Sequence, residues 1–190
     1  VDSPFVALIE SMGGDPQADA DRFESVLGEV LERGCVTDAV IAKSESEAQA
    51  LWALRDDVGQ ARQFGATIGY DVSLPNVKMG AYVNGVRASI LGRWPQGRFF
   101  VFGHLGDGNL HLVACVGDDA PAARAEVSRM VYEPLAALGG SVSAEHGIGR
   151  QKKAYLSISR SDTEIALMRT LKAALDPKGL LNRGLIFDPL

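Results

Sequence analysis

The feature that most constrains the fold is a pair of strand-like segments, residues 97–104 and 109–116, separated by a few glycine-rich residues. A connection this short joins neighbouring strands as an antiparallel hairpin, whereas parallel strands need a long crossover. The remaining segments do not repeat the strand–helix–strand unit of a doubly wound parallel sheet. We therefore expect an antiparallel or mixed sheet with helices on one face. Further strands are predicted at residues 5–10, 36–42 and 67–74, and helices at about 20–34, 45–58, 77–92, 120–138, 150–156 and 161–175.

The composition is that of an ordinary globular protein. The 190 residues carry a formal net charge of −5, with 46% hydrophobic and 23% charged residues, which excludes a disordered, collagen-like or coiled-coil chain. No apolar run approaches the roughly 20 residues of a membrane span, and no signal peptide pattern is present. The acidic balance, without a block of Lys or Arg, argues against nucleic acid as the main partner. Cys35 and Cys115 have no ligand spacing, which favours a reducing, cytoplasmic compartment.

Two helix starts are marked by the capping-box pattern, in which a serine is followed three residues later by a glutamate. Ser44 and Glu47 form the first pattern, and Ser161 and Glu164 form the second. The serine oxygen can accept a bond from an early helical N–H while the glutamate reaches back to the backbone of the serine. Both patterns predict the beginning of a helix.

All three histidines of the chain lie in two short glycine-rich segments, FGHLGDGNLHL and SAEHGIGR. If residues 106–109 form the turn of the hairpin, His104 lies directly opposite His111, with the two side chains on one face of the sheet. Neutral imidazoles in such an arrangement are good ligands for zinc and related ions. The alternative is a pair of half-buried histidines at a sheet edge.

Glu145 and His146 lie between small residues and two glycines, where a ligand can closely approach the chain. Glu145 can complete a His-His-Glu set with His104 and His111, and three protein ligands leave a position open, as catalytic metal sites do. His146 is then available as an acid or base near neutral pH. The alternative is that Glu145 and His146 are a solvated loop pair.

Other polar groups are weaker candidates. Asp107 is most simply a turn residue whose side chain bonds its own backbone. Arg55, on the first capped helix, could clamp a carboxylate or could be an ordinary surface arginine. Lys152 and Lys153 are expected to be solvated. The sequence contains none of the glycine-rich motifs that bind phosphate or dinucleotides.

The same segments resemble the C-terminal domain of FAD-linked oxidases of the vanillyl-alcohol-oxidase superfamily, in the branch that acts on D-2-hydroxyacids. The resemblance implies an α+β fold with a large antiparallel sheet flanked by helices, described as duplicated ferredoxin-like units. It implies a substrate- and metal-binding cap domain over residues 1–175 and a tail, 176–190, that returns to an N-terminal flavin-binding domain. The matching stretches are LWALRDD (51–57), YDVSLP (70–75), FGHLGDGNLHL (102–112), SAEHGIGRQKKAYL (143–156) and LDPKGLLN (175–182).

The resemblance also implies the roles of the site residues. The implied ligands of a divalent metal, most often zinc, are His104, His111 and Glu145. His146 would take the hydroxyl proton of a small 2-hydroxyacid, of the lactate, glycolate or 2-hydroxyglutarate type, while hydride leaves for FAD. Arg55 matches an arginine that pairs with the substrate carboxylate. Asn182 matches a tail position that returns towards the flavin.

Three positions depart from the pattern of that family. Gly69 stands where a lysine is usual, Val113 where an asparagine is common, and Arg183 within the tail motif. The first two changes remove polar substrate contacts and argue against a dicarboxylate substrate, and the third puts a tail contact with flavin in doubt. Since these 190 residues contain no flavin-binding domain, we expect that the chain alone neither binds FAD stably nor turns over.

The expected partners are the 2-hydroxyacid and a separate flavin-binding domain or subunit, and a homodimer is left open. The expected location is the cytoplasm, with peripheral attachment to a membrane as an alternative. Two other functions also remain open. One is a free-standing hydrolase that uses the same metal ligands with His146, and the other is a non-catalytic binding module of the same fold.

Overall fold

The structure is a computed structural model that describes residues 6–118 and 120–188. The chain divides into two compact units, Val1–Gly59 and Gln60–Leu190. This boundary is not the predicted one between a cap domain, 1–175, and a tail, 176–190, and that division remains a prediction.

The first unit contains two helices, α1 (Pro16–Glu32) and α2 (Glu45–Asp56). The side chain of Asp15 caps α1 by accepting hydrogen bonds from the N–H groups of residues 17 and 18. At the start of α2, Ser44 accepts from the N–H of Glu47, as the capping box predicts. The Glu47 carboxylate, however, accepts from the N–H of Lys43, so the reciprocal bond lies one residue earlier than expected.

The two strands predicted in the first unit are not formed. Residues 6–10 and 36–42 adopt no strand, and residue 5 lies outside the described part of the chain. Short apolar runs are ambiguous in sequence, and an isolated strand has no stability without a partner that takes its backbone hydrogen bonds. These two predictions were wrong for the described residues.

The second unit is built on three antiparallel strands and two long helices. In chain order these are β1 (Ile68–Ser73), α3 (Asn76–Arg93), β2 (Arg98–His104), β3 (Asn109–Cys115) and α4 (Pro121–Leu138). The strand order is β1-β3-β2, and a 3-10 helix, Val58–Phe64, precedes β1. After α4, Ser141 forms a single antiparallel bridge to Ser73 on the other edge of β1.

This arrangement corresponds to one ferredoxin-like unit, β-α-β-β-α-β, whose last strand is reduced to a single bridge. The predicted α+β class, with an antiparallel sheet flanked by helices, is confirmed. Within residues 6–118 and 120–188 the sheet has three strands. A second, duplicated unit is not formed by the residues that the structure describes.

One face of the sheet packs on α3 and α4 and forms the core. Alternate residues of β1 and β3, such as Val72 and Leu112, point to this face and are fully buried, as the two-residue period of a strand requires. They meet the buried faces of the helices, which include Ile90 and Val131. The opposite face of the sheet is partly open and carries the polar residues considered below.

The C-terminal part of the second unit is helical and then turns back. A short 3-10 helix, Lys153–Tyr155, leads into α5 (Leu156–Ser159) and α6 (Asp162–Leu175). The capping box of Ser161 and Glu164 at the start of α6 is confirmed. The N–H of Ile186 donates to the carbonyl of Gly149 at 2.9 Å, so the tail folds onto this unit. Among the described helices, none is long and apolar enough to cross a membrane.

Candidate metal and substrate site

The β2–β3 hairpin positions two of the three histidines. His104 pairs with Asn109, and His111 pairs with Phe102, so the prediction that the histidines lie directly opposite one another was wrong. The turn contains residues 105–108 instead of 106–109. The register therefore differs from the predicted one by two residues. Because side chains alternate between the two faces of a strand, a shift by two leaves His104 and His111 on the same face.

The position of the turn is explained by hydrogen bonds that its sequence did not reveal. Asp107 accepts from the N–H of Asn109 at 3.1 Å, which confirms that Asp107 is a turn residue and draws Asn109 into the strand. The carbonyl of Gly108 accepts from the N–H of Leu74, and the amide of Asn76 donates to the carbonyl of Leu105. The turn is therefore anchored to the segment that follows β1.

Glu145 lies between the two hairpin histidines. Its Oε1 is 3.1 Å from His104 Nδ1, and its Oε2 is 3.5 Å from His111 Nε2. The ring centroids of His104 and His111 are 5.8 Å apart. The structure thus brings together the three residues predicted as ligands, although they come from two strands and a loop about 30 residues further along the chain.

The donor types of this cluster suit a divalent metal, since imidazole nitrogens and carboxylate oxygens are usual zinc ligands. The separations of 3.1 and 3.5 Å run from the two different oxygens of Glu145. The His104 and Glu145 side chains are 44% and 43% exposed, whereas His111 is 14% exposed. A cation held here would have protein on one side and room for a substrate on the other.

Alternative donor groups share Glu145 with this set. His104, Asp107 and Glu145 form one group of atoms within 4.8 Å, and Asp71, His111, Glu145 and His146 form another. The Oδ1 atom of Asp107 already accepts the turn hydrogen bond. The set of His104, His111 and Glu145 is neither of these two groups of described residues. It remains a prediction, with Asp107 as a competing ligand to be tested.

His146 lies beside the ligand cluster with its ring accessible. Its ring centroid is 5.5 Å from that of His111, and its Nδ1 is 4.0 Å from Asp71 Oδ2. The side chain is 65% exposed, so a substrate can reach the imidazole.

Asp71 is the site residue that sequence reasoning missed. It lies in the middle of β1, is fully buried, and directly faces His111 across the β1–β3 ladder. Its carboxylate accepts hydrogen bonds from the backbone N–H groups of Ala144, Glu145 and His146. The available signal was a charged residue inside an otherwise apolar strand, where Asp is disfavoured unless it has partners.

The environment of Asp71 also decides its charge. Burial would raise the pKa of Asp71, but the N–H donors of His146 and Glu145 and the Lys152 ammonium outweigh it, lowering the pKa from 3.8 to about 2. Lys152 Nζ lies 3.1 Å from Asp71 Oδ2 and is 8% exposed as a residue. The prediction that Lys152 is solvated was therefore wrong. The ammonium is buried as the partner of a strand carboxylate.

The two departures from the family pattern occupy adjacent places on the same face. Gly69 pairs with Val113 across β1 and β3, one step along the ladder from the pair Asp71 and His111. Phe100 pairs with Val113 from the other side. A side chain at position 69 would meet open space. On the sheet face that carries His111, the neighbouring positions are therefore Gly69, Val113 and Phe100, none of which has a polar side chain.

Two further predicted site residues belong to other segments of the chain. Arg55 is on α2 in the first unit, where it pairs with neighbouring Asp56 at 2.8 Å and is 59% exposed. Asn182 is in the tail of the second unit, in the left-handed region with φ 48°. With Arg183 it lines a cavity of about 230 Å³ between the tail and α6. The roles predicted for Arg55 and Asn182 remain predictions.

Comparison with known proteins gives consistent matches. The chain is 41% identical over 183 residues to the "D-2-hydroxyglutarate dehydrogenase, mitochondrial" of Bos taurus, which covers 95% of this chain and 33% of that protein. It is 35% identical over 191 residues to the D-2-hydroxyglutarate dehydrogenase of Stutzerimonas stutzeri, covering 98% and 41%. The corresponding mitochondrial protein of Arabidopsis thaliana is 37% identical over 185 residues, covering 94% and 32%. The chain thus spans between 32% and 41% of the length of these curated relatives.

The family match covers nearly all of the sequence. Residues 1–186 match the family described as "FAD linked oxidases, C-terminal domain". The resemblance stated from the sequence, including the D-2-hydroxyacid branch, is confirmed by this match and by the names of the relatives. The chain belongs to the family of C-terminal domains of FAD-linked oxidases.

Proposed function

We propose that this chain is the substrate- and metal-binding part of a flavin-dependent enzyme that oxidises a small D-2-hydroxyacid. The observation that carries the proposal is the position of the Glu145 carboxylate between the imidazoles of His104 and His111, with His146 beside them. The names of the relatives, which are D-2-hydroxyglutarate dehydrogenases, support the same reaction class.

In this proposal the three ligands and the base have separate tasks. A divalent metal, zinc in the first instance, held by His104, His111 and Glu145, would supply Lewis-acid polarisation of the substrate hydroxyl. His146 takes the hydroxyl proton of the substrate onto its imidazole. FAD, held by the flavin-binding domain, would supply the acceptor for the hydrogen of the α-carbon and its electron pair, so that the acid becomes a 2-oxoacid.

The remaining residues of the proposal bind and orient. The ladder of β1 and β3 holds His111 rigidly, which fixes the substrate carbon relative to His146. Arg55 is proposed to pair with the substrate carboxylate, and Asn182 to face the flavin.

A non-catalytic binding module of the same fold is the second candidate. It is favoured by the pair Gly69 and Val113, which offers no polar side chain next to His111. In that case the chain would hold a metal or a small acid without oxidising it.

The test uses the flavin-containing full-length protein, reduced anaerobically with a panel of D-2-hydroxyacids. We expect the visible flavin absorption to bleach, with a slower rate when the α-carbon carries deuterium. His146→Asn should bind the acid but bleach at least about 100-fold more slowly, as loss of a general base does. Metal content that is retained without bleaching by any acid would favour the binding module, and ester hydrolysis without flavin would favour a hydrolase.

Partners and compartment belong to the same proposal. The flavin-binding domain or subunit is the essential partner, and homodimerisation is to be measured by light scattering. The two cysteines are free, as a reducing compartment allows. We propose the cytoplasm, including peripheral attachment to a membrane. The bovine and Arabidopsis relatives carry "mitochondrial" in their names, so fractionation of cells should compare both locations.

A further inference from the structure

The loop that carries Glu145 and His146 is wrapped around a buried carboxylate. Asp71 accepts hydrogen bonds from the N–H groups of Ala144 at 3.1 Å, Glu145 at 3.1 Å and His146 at 2.9 Å. The hydroxyl of Ser143 donates to the same carboxylate at 3.1 Å. Successive backbone N–H groups that converge on one anion form a nest, and here the anion belongs to the protein itself.

A second buried charge completes this arrangement. The Lys152 ammonium lies 3.1 Å from Asp71 Oδ2, 3.1 Å from the Asp71 carbonyl and 2.9 Å from the Ser143 hydroxyl. An ammonium has three N–H donors, so all of them have acceptors within the protein. Lys152 therefore links β1, through Asp71, to the start of the loop, through Ser143.

The hydrogen bonds of Asp71 are unevenly divided between its two carboxylate oxygens. Ser143, Ala144, His146 and Lys152 donate to Oδ2, and the N–H of Glu145 is shared between Oδ1 and Oδ2. Oδ2 is therefore fully used within the protein, whereas Oδ1 keeps a lone pair. The main contacts of this fully buried carboxylate are thus with the loop.

The register of the sheet determines where Asp71 holds the loop. Asp71 is the direct cross-strand partner of His111, and side chains of such partners lie on one face about 4.5–5.5 Å apart. Because Asp71 also binds the N–H of Glu145, the loop is held one cross-strand spacing from His111. Gly147, with φ 77°, lets the chain turn away directly after His146.

We propose that Asp71, locked by Lys152, is a positioning residue that sets the distance between the ligand His111 and the pair Glu145 and His146. The inference rests on the proposed function, because it assigns Glu145 and His146 their roles there. In this role Asp71 acts through the backbone of the loop.

The test compares Asp71→Asn with the double variant Asp71→Asn/Lys152→Met in the full 190-residue chain. The single variant leaves Lys152 buried without its counter-charge and is expected to be less stable, whereas the double variant removes both charges. Co²⁺ alone is the probe, and its visible spectrum reports both affinity and coordination geometry. Asp176→Asn is the matched control, since it removes a carboxylate that is also paired with a lysine but belongs to neither donor group.

We expect the double variant to regain the thermal stability of the metal-free chain while binding Co²⁺ at least about tenfold more weakly, as loss of an outer-shell partner does. A merely structural role predicts that stability and affinity recover together. Hydrogen exchange of the amides of Ala144, Glu145 and His146 should accelerate at least about tenfold in both variants, because their acceptor is weakened.

Two outcomes would overturn the inference. One is a double variant that binds Co²⁺ as tightly as the unmodified chain, and the other is unchanged exchange of the three loop amides. If the unmodified chain binds no Co²⁺, the proposed metal function fails. The exchange measurement then still decides whether Asp71 positions the loop, so the two failures are distinguishable.

Discussion

His104 and His111 lie diagonally across β2 and β3, with ring centroids 5.8 Å apart and ring planes at 85°. Both residues are held by the hydrogen-bonded ladder of a sheet whose other face is packed on α3 and α4. Side chains on such a scaffold keep their spacing in the absence of a ligand, which reduces the cost of ordering them around a cation. Glu145 lies on a loop, so contacts other than the strand ladder must fix its position.

The competing donor groups make opposite predictions for two variants. If the cation is held by His104, His111 and Glu145, His104→Ala should weaken Zn²⁺ binding by about 100-fold or more, since even outer-shell losses cost 10–100-fold. Asp107→Asn should leave the affinity unchanged because the Asp107 carboxylate serves the turn. Isothermal titration of both variants measures this. Equal losses in the two variants would move the cation to the His104, Asp107 and Glu145 group.

The turn between β2 and β3 offers a matched pair of glycine variants. Gly108 has φ 76°, and a Cβ built there lies 2.5 Å from the carbonyl oxygen of Leu74, whereas Gly106 has open space. Gly108→Ala should therefore lower the free energy of unfolding by about 1–3 kcal/mol. Gly106→Ala should change it by less than about 0.5 kcal/mol. Urea unfolding of both variants provides the measurement, and similar values for the two would contradict this account of the turn.

The pair Gly69 and Val113 predicts substrate selection in the flavin-containing protein. Because a charge-assisted hydrogen bond contributes about 1.5–3 kcal/mol, Gly69→Lys with Val113→Asn should raise kcat/KM for a dicarboxylate at least about tenfold relative to a monocarboxylate. Gly69→Ala is the control, since it enters the same open space without a polar group. An unchanged ratio of the two kcat/KM values would show that this end of the face does not contact the substrate.

The tail contains a carboxylate whose contribution depends on pH. The pKa of Asp176 is lowered from 3.8 to about 2 by the hydrogen bond with Lys172 and then by the N–H groups of Leu181 and Leu180. Since the folded state favours the charged form, the contribution of Asp176 to stability is complete above about pH 4 and declines towards pH 2. Asp176→Asn should lower Tm clearly at neutral pH and by much less at about pH 2. A difference in Tm that is undiminished in acid would contradict this sign.

The elements of the second unit were predictable because their signals are local. The strand at residues 67–74 and the helix at residues 77–92 correspond to β1 and α3 within a residue at each end. The hairpin follows from a short glycine-rich connection between two apolar segments. The capping box at Ser161 also predicted the start of α6 correctly. In contrast, the strands expected at 5–10 and 36–42 rested on short apolar runs, which do not reveal whether a pairing partner exists.

The candidate site was predictable in its residue types but not in its geometry. The concentration of histidines, with Glu145 in a second glycine-rich segment, already indicated candidate donor residues, and the structure brings Glu145 within 3.5 Å of both hairpin histidines. The register was wrong because the Asp107 side chain and the contacts of Asn76 and Leu105 set the turn. Those contacts join residues that are far apart in the sequence, and no local pattern encodes them.

The amino-acid sequence alone determined the hairpin and most helices, because periodicity, capping and glycine spacing act over a few neighbouring residues. It also predicted a set of donor residues. Only the tertiary structure decided that Asp71 faces His111 and binds the loop of Glu145 and His146. A buried carboxylate is stable only when distant donors converge on it. Whether they do depends on how β1, β3 and the loop pack together, which is a property of the folded chain.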